Sequence, residues 1–427
     1  MNEEVRDIRR FSQLSKDDKL DSICESLLKD PWDKKNLIKS FWHPNPGIQS
    51  KFDELSENTI SNFYVPYSVA RNFLINGKEY TIPMAIEESS VVAAASKAAK
   101  FWKKWGGLTA HVKGMTKVGH IHFLWKGQEN SKELSQLLLD NSILSTLRSD
   151  LFPITKNMEN RGGGVLQFKI EPQGTYYQIK IFFDTKDSMG ANFINTVLEA
   201  VSKYFEEIFP TKFFPIFSIV SNFTPECLVY VSAQAPMSEI PNVEKMFMAY
   251  EIASIDMYRA VTHNKGIMNG IDAVAIATGN DFRAIEACAH AYASKDGQYR
   301  SLSKMELDRE KNLATISIEI PMAVGTVGGI GRIHSLANIS LEMLGNPSAK
   351  DLMMIMASVG LAQNFAAISS LVTTGIQKGH MKMHLINILH QLGATGKEAI
   401  MAKEFFKDKT VSFSKVREYL HSIRTIQ

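Results

Sequence analysis

From about residue 110 to residue 222 the chain changes the period of its hydrophobic pattern. That change constrains the fold more than any other feature of the sequence. His120-Ile-His-Phe-Leu-Trp125, Leu166-Gln-Phe-Lys-Ile170 and Tyr177-Gln-Ile-Lys-Ile-Phe-Phe183 read as strands, largely alternating apolar and polar residues as half-buried strands do. Two helical patterns lie between them, near 130–148 and 190–207. This is an α+β stretch of about one hundred residues, the size of a small inserted domain. The texture of the first part resumes near residue 240. At 427 residues the chain exceeds one ordinary core, so two or three domains are expected.

Residues 1–45 read as short helices with a proline-rich exit at His43-Pro-Asn-Pro-Gly47. Phe63–Tyr67, Arg71–Ile75 and Tyr80–Pro83 read as strands, with a turn at Asn76-Gly77. A small-residue helix suited to close packing follows from Glu88 and ends at Trp105-Gly-Gly107. Beyond the insert, helices are expected over 241–262, 265–277, 281–295, 334–344 and 350–375, with a strand at Ala314–Pro321. The last fifty residues read as helical and lysine-rich. The apolar run Leu352–Ala362 is too short to span a bilayer and suits a buried helix.

The net charge of +3 argues against nucleic acid as the main partner. Cys24, Cys227 and Cys288 are scattered, which suggests a reducing compartment and no structural zinc. The first thirty residues alternate in charge, unlike a signal peptide, so a cytoplasmic protein with no membrane association is expected.

Several segments have the makings of chemistry. Arg259, Lys265 and Asn269 set two cations and an amide at offsets of six and four residues. On a helix Lys265 and Asn269 share a face, while Gly266 and Gly270 let a ligand or backbone approach. Such a mix can hold an anion and polarise a carbonyl, and it also suits a surface helix with ordinary charges. Glu87 and Glu88 precede the small-residue helix, either as first-turn charges or as a buried acid able to donate a proton. Thr185–Asn192 is a glycine-containing turn that feeds a helix; it is a phosphate site or a plain connection, and not a Rossmann fingerprint. Gly325–Arg332 is a glycine-dense loop after a strand. His380 and His384 have zinc-compatible spacing but no third ligand nearby, so a general acid on a mobile segment is the better functional reading, beside that of a solvated surface histidine.

Together these segments resemble class II 3-hydroxy-3-methylglutaryl-CoA (HMG-CoA) reductase from about Arg9 onward. The resemblance is carried by Glu57–Ile60, Glu87–Ser96, Asp187–Asn192, Thr262–Asp272, Ala277–Arg283, Gly325–Gly329, Leu361–Asn364 and Gly379–Met381. It implies an α+β fold: a large, mostly helical substrate-binding and dimerisation domain (1–110 and 223–375), interrupted by a small ferredoxin-like, non-Rossmann dinucleotide-binding domain (111–222). A helical C-terminal flap (376–427) follows. It implies a homodimer, or a multiple of dimers, with active sites across the subunit interface.

By matching position, the resemblance makes Glu88, Lys265, Asp281 and His380 catalytic. It gives Ser90, Arg259, Asn269, Gln363 and Asn364 to the substrate, and Asp187, Met189, Gly190, Asn192, Gly328 and Gly329 to the dinucleotide. The implied partners are HMG-CoA, mevalonate and CoA, with NADH or NADPH as cofactor and no metal. Lys265 would stabilise an oxyanion, His380 protonate the departing CoA thiolate, Glu88 donate a proton to the aldehyde, and Arg259 pair with the substrate carboxylate. Asp281 would couple to both Lys265 and Glu88. The sequence departs from the family pattern at Ser61, Ser89, Ser188 and Ile386. The implied reaction is the mevalonate-forming step of isoprenoid synthesis. The alternatives are the same catalyst run in reverse for mevalonate catabolism, and a silent CoA- or nucleotide-binding protein.

Overall fold

The computed structural model describes residues 11–329, 334–373, 385–407, 409 and 411–425. Helices α1 (Lys16–Leu27), α2 (Pro31–Lys39) and α3 (Pro46–Asp53) come first. The stretch expected to be a proline-rich exit starts α3 instead. Asn45 accepts from the backbone N–H of Gly47 and Ile48, and Pro46 takes the first helical position, where a missing N–H costs nothing. Strands β1 (Tyr67–Ile75) and β2 (Lys78–Ala85) form an antiparallel hairpin in which Ile75 opposes Lys78. Its two-residue turn places Asn76 and Gly77 at φ 50° and 78°, the left-handed values a tight hairpin requires. Phe63–Pro66 lies outside any strand. Helix α4 (Val91–Lys103) buries Ala95, Ala98, Ala99 and Trp102.

After β3 (Thr109–Val112) the chain runs through β4 (Thr116–Trp125), α5 (Ser131–Leu138), α6 (Asn141–Glu159), β5 (Gly164–Gln173), β6 (Tyr176–Asp184), α7 (Ala191–Ile208) and β7 (Phe213–Val220). Strands β4 to β7 make an antiparallel sheet in the order β5-β6-β4-β7. With its two helical crossovers this is the split β-α-β arrangement of a ferredoxin-like unit. Lys117, Gly119, Ile121, Phe123 and Trp125 occupy the inward phase of β4. Ile121, Phe123, Phe183, Ile194, Leu198 and Phe205 share a core between sheet and helices. Strand β7 reads Phe-Phe-Pro-Ile-Phe-Ser-Ile-Val, without clean alternation, and is an edge strand, where Pro215 is tolerated.

The remainder is β8 (Leu228–Pro236), α8 (Val243–Ile255), α9 (Met257–Ala277), α10 (Phe282–Ala293), β9 (Ser303–Asp308), β10 (Leu313–Pro321), α11 (Ser335–Met343) and α12 (Ala349–Val372). A second antiparallel sheet has the order β3-β8-β10-β9, with Ile318 opposite Val231. Its core joins α4, α9 and α12 through Trp102, Ile271, Val274, Met356 and Phe365. Helix α12 is apolar all round and long enough to cross a membrane, but most of it is buried in this core. The expected break between 262 and 265 falls at Asp256 instead. Its carboxylate accepts from the Arg259 N–H and starts α9, so Arg259, Lys265, Asn269 and Asp272 lie on one helix. Gly266 and Gly270 are therefore interior helix positions. At Gly270 a Cβ would stand 3.0 Å from the Val359 carbonyl, so its absence lets α9 and α12 approach closely.

At the C-terminal end, helices α13 (Gly396–Phe405) and α14 (Phe413–Thr425) share a third, small core built from Leu385, Ile388, Leu389, Ala402, Phe406, Val416 and Leu420.

Candidate active site

Lys265 and Asn269 project together from α9, as their spacing requires. Both reach Glu88, in the bend between β2 and α4. The Lys265 ammonium donates to Glu88 Oε2 at 2.7 Å, and Asn269 Nδ2 approaches the same oxygen at 3.4 Å. The Lys265 side chain is 59% exposed and that of Glu88 37%. The burial expected for a proton-donating Glu88 is thus not supplied within one chain. The bend is strained: Ser90 holds φ 76° with no side-chain capping bond, a conformation that is rare for a non-glycine residue. Such strain fixes the approach of Glu88 to α9.

Arg259 stands about one and two-thirds turns before Lys265 on the same helix. Burial pulls its pKa below the usual guanidinium value, and among the described residues its side chain forms no ion pair. A half-buried guanidinium without a carboxylate is suited to a carboxylate ligand. Asn364, in contrast, is committed to the core. It accepts from Ser303 Oγ at 2.9 Å and donates to the His263 carbonyl at 3.3 Å. His263 Nε2 lies 2.6 Å from Ser303 Oγ, and burial pushes the imidazole down to about 3, so it is neutral. Gln363 is buried behind Gly270, and its Oε1 has no partner among the described residues.

A second cluster forms around residues 185–192. Gly190 has φ 87°, and a Cβ there would come within 2.5 Å of the Thr185 methyl, so the turn demands glycine. It opens directly into α7 with no side-chain cap, leaving first-turn N–H groups available to an anion. Asp187 and Met189 lie on the turn, and the exposed Asn192 follows in the first turn of α7. The Asp187 carboxylate accepts from the Ala349 N–H at the start of α12 at 2.7 Å. The Asp187 carbonyl accepts from Thr326 N at 2.8 Å. Gly325 sits against Met189, where a Cβ would be 2.5 Å from the backbone nitrogen. Gly328 and Gly329 follow at φ 82° and 64°, with open space where their side chains would be. The glycine loop and the turn therefore pack against one another, Gly325 on Met189 and Thr326 on Asp187.

Asp281 belongs to this second cluster. Its carboxylate caps α10, accepting from the N–H of Arg283 and Ala284, and pairs with the Arg283 guanidinium. Its neighbour Asn280 receives the Gly325 N–H at 2.8 Å. Asn280 N also bonds back to Ala275, roughly 15 Å of helix rise beyond Lys265. Within one chain Asp281 is therefore far from Lys265 and Glu88, and the three-way coupling expected from the sequence is not formed. His380 and His384, with Arg332, lie outside the described residues.

Two groups are given no role by the sequence reading, although Asp272 closes the Thr262–Asp272 motif. Lys117 is buried beneath the turn, donating to Thr185 Oγ1 at 2.8 Å and to the Ser188 carbonyl at 3.1 Å. The detectable signal is a lysine in the inward phase of an alternating strand. Asp272 on α9 faces Glu286 on α10; burial and then that neighbouring carboxyl push it up to about 8. Of the departures from the family pattern, Ser61 has a visible use: its hydroxyl donates to the Ile38 carbonyl and ties the segment to α2.

Comparisons with known proteins agree on one family. The family model for hydroxymethylglutaryl-coenzyme A reductase matches residues 26–385. The 3-hydroxy-3-methylglutaryl-coenzyme A reductase of Archaeoglobus fulgidus is 41% identical over 381 residues, covering 87% of this chain and 86% of that one. The class II reductase of Streptococcus pneumoniae, solved bound to NADPH in open conformations, superimposes with a TM-score of 0.72. It shares 36% identity, covering 85% of this chain and 99% of that one. Another structure of the Streptococcus pneumoniae enzyme also gives 0.72, with 35% identity, over 97% of this chain and 99% of its own.

Proposed function

The chain belongs to the hydroxymethylglutaryl-coenzyme A reductase family, and we propose from that premise how its residues divide the work. It is an NAD(P)H-dependent oxidoreductase that interconverts HMG-CoA with mevalonate and CoA. The observation that carries the residue assignment is the convergence of Lys265 and Asn269 on Glu88, beside a guanidinium that has no ion-pair partner among the described residues.

The substrate acyl group binds at this first cluster, its free carboxylate held by Arg259, with Ser90 and Asn269 as further contacts. Reduction of a thioester leaves negative charge on its carbonyl oxygen. The Lys265 ammonium, fixed by Glu88, stabilises that charge where it develops. Collapse expels the CoA thiolate, which needs a proton; His380 is the proposed donor. The aldehyde would then take up the second hydride and a proton, which Glu88 relays from its hydrogen bond with the Lys265 ammonium. The cradle of Asp187, Met189, Gly190, Asn192, Gly328 and Gly329 fits a dinucleotide diphosphate, because its glycines leave room and its helix start leaves N–H groups open. When bound, the reduced nicotinamide supplies the hydride for each of two reductions.

The two clusters stand apart along α9, so we propose that the working site joins two copies of the chain. Asp281 and the dinucleotide cradle of one copy complete the Lys265–Glu88 pair of the other. The outer side of α8 and α9 supports this reading: Ile252, Ile255, Met257, Tyr258 and Val261 are exposed apolar residues on adjoining turns. Three working units follow: residues 1–110 with 223–375 for acyl binding and dimerisation, 111–222 for the dinucleotide, and 376–427 as a flap carrying His380 from its leading edge. A cytoplasmic location accords with free, buried Cys24, Cys227 and Cys288.

Mixing two dead variants tests the composite site. Lys265→Ala and Asp281→Ala proteins, co-expressed, should recover activity of about a quarter of the unsubstituted level, since half of the random dimers contain one intact site. No recovery, with dimers present, would place both residues in one chain's site.

A further inference from the structure

Lys117 is 1% exposed, and among the described residues it is the one buried Lys, Arg, Asp or Glu. No carboxylate forms an ion pair with it among those residues; burial pulls its pKa down, and Asp184 and Asp187 counter this only from farther off. Burying a lone ammonium is costly, and a fold that needed only to fill this space would use an apolar residue. The neighbours make the same point. Thr185 Oγ1 already donates to the Ser188 carbonyl at 2.6 Å, so that carbonyl stays satisfied without the lysine. The rest of the inward row on β4 is Gly119, Ile121, Phe123 and Trp125, which a methionine at 117 would simply extend.

The charge sits directly under the turn that leads into α7. Of its three N–H groups, two grip that turn at Thr185 and Ser188. On the outer side, α7 begins at Ala191 with its first-turn N–H groups uncapped. A buried cation below and a helix start above both favour negative charge at the same place. We infer that Lys117 is a positioning residue for the dinucleotide: it clamps Thr185–Ser188 in the shape that receives the diphosphate and offsets part of its charge through the turn. This rests on assigning that turn to the dinucleotide, and it adds a residue which acts through the turn and touches no reacting atom.

The test uses Lys117→Met and Lys117→Arg in the full-length enzyme. KM and Kd for NADH and NADPH, KM for HMG-CoA, and the melting temperature are measured on each. The methionine variant should weaken dinucleotide binding at least about tenfold, the scale of one charge-assisted contact. Its KM for HMG-CoA should stay within about twofold, because the acyl cluster lies elsewhere. Its melting temperature should be unchanged or higher, because a buried charge has been removed. Lys117→Arg, which keeps the charge, should restore part of the lost affinity. A purely structural lysine gives the opposite pattern: a lower melting temperature, or no folded protein, with KM values unmoved in whatever folds. Either that pattern or unchanged dinucleotide binding in a folded methionine variant overturns the inference. If the unsubstituted protein binds neither NADH nor NADPH, the assignment of the turn itself falls.

Discussion

The contact between Lys265 and Glu88 joins two side chains that are each more than a third exposed. Such a pair contributes at most about 1 kcal/mol to stability. Lys265→Ala should therefore keep its melting temperature within a few degrees while turnover with HMG-CoA falls at least about a thousandfold, the scale of losing a fixed oxyanion partner. Near-normal turnover in that variant would remove Lys265 from the chemistry. The i,i+4 spacing of Lys265 and Asn269 is legible in the sequence because helix geometry alone makes those positions neighbours. The meeting with Glu88 is not, because it depends on how β2 and α4 are packed against α9. Asn364 is illegible for a related reason: its motif does not reveal that Ser303 and His263 surround it. Asp272 gives a pH-dependent prediction. Its pKa is raised to about 8 in the fold, so the folded state holds a proton that the unfolded chain releases near pH 4. The associated stability is complete below about pH 4 and is lost as pH rises through 8, by at most about 1.4 kcal/mol per pH unit. Asp272→Asn should flatten that slope in denaturant unfolding across pH 5 to 8; an unchanged slope would mean the proton is not held there.

Helix α9 carries Arg259, Lys265 and Asn269, and its packing on α12 sets where they point. Gly360 of α12 lies so close that a Cβ would be 2.8 Å from Ile271 Cγ1, and Gly270 is the reciprocal close approach. Gly360→Leu should cost about 3 kcal/mol or more through overpacking, seen as a lower denaturant midpoint. A variant as stable as the parent would show that the two helices can separate freely. Element types are readable where the apolar period is strong, as in β4 and α7, and α12 is readable as a continuous apolar run. The boundary of α9 is not, because it is set by the Asp256 carboxylate capping the helix, while Gly270, inside it, is a packing position against α12. Strand β7 is hidden for a different reason. Its apolar residues face both ways at a sheet edge, so the alternation that marks a half-buried strand is absent.

At the scale of the whole molecule, the change of texture at residues 110–222 reads as an inserted α+β unit, and β4 to β7 with their helices share one sheet and one core. The ferredoxin-like sheet order β5-β6-β4-β7 is the form it takes. What the sequence does not convey is that one chain holds its two clusters apart by roughly 15 Å of helix rise along α9. The position of Asp281 beside the glycine loop, rather than beside Lys265, is the observation behind the proposed composite site. The electron count of the reaction tests the whole assignment most directly. Purified protein is given limiting HMG-CoA with excess NADH or NADPH, and the dinucleotide consumed is counted. A family reductase acting through these residues consumes two equivalents per HMG-CoA and releases mevalonate and free CoA. Oxidation of a single equivalent, or none with either dinucleotide together with none in reverse from mevalonate and CoA, would contradict it.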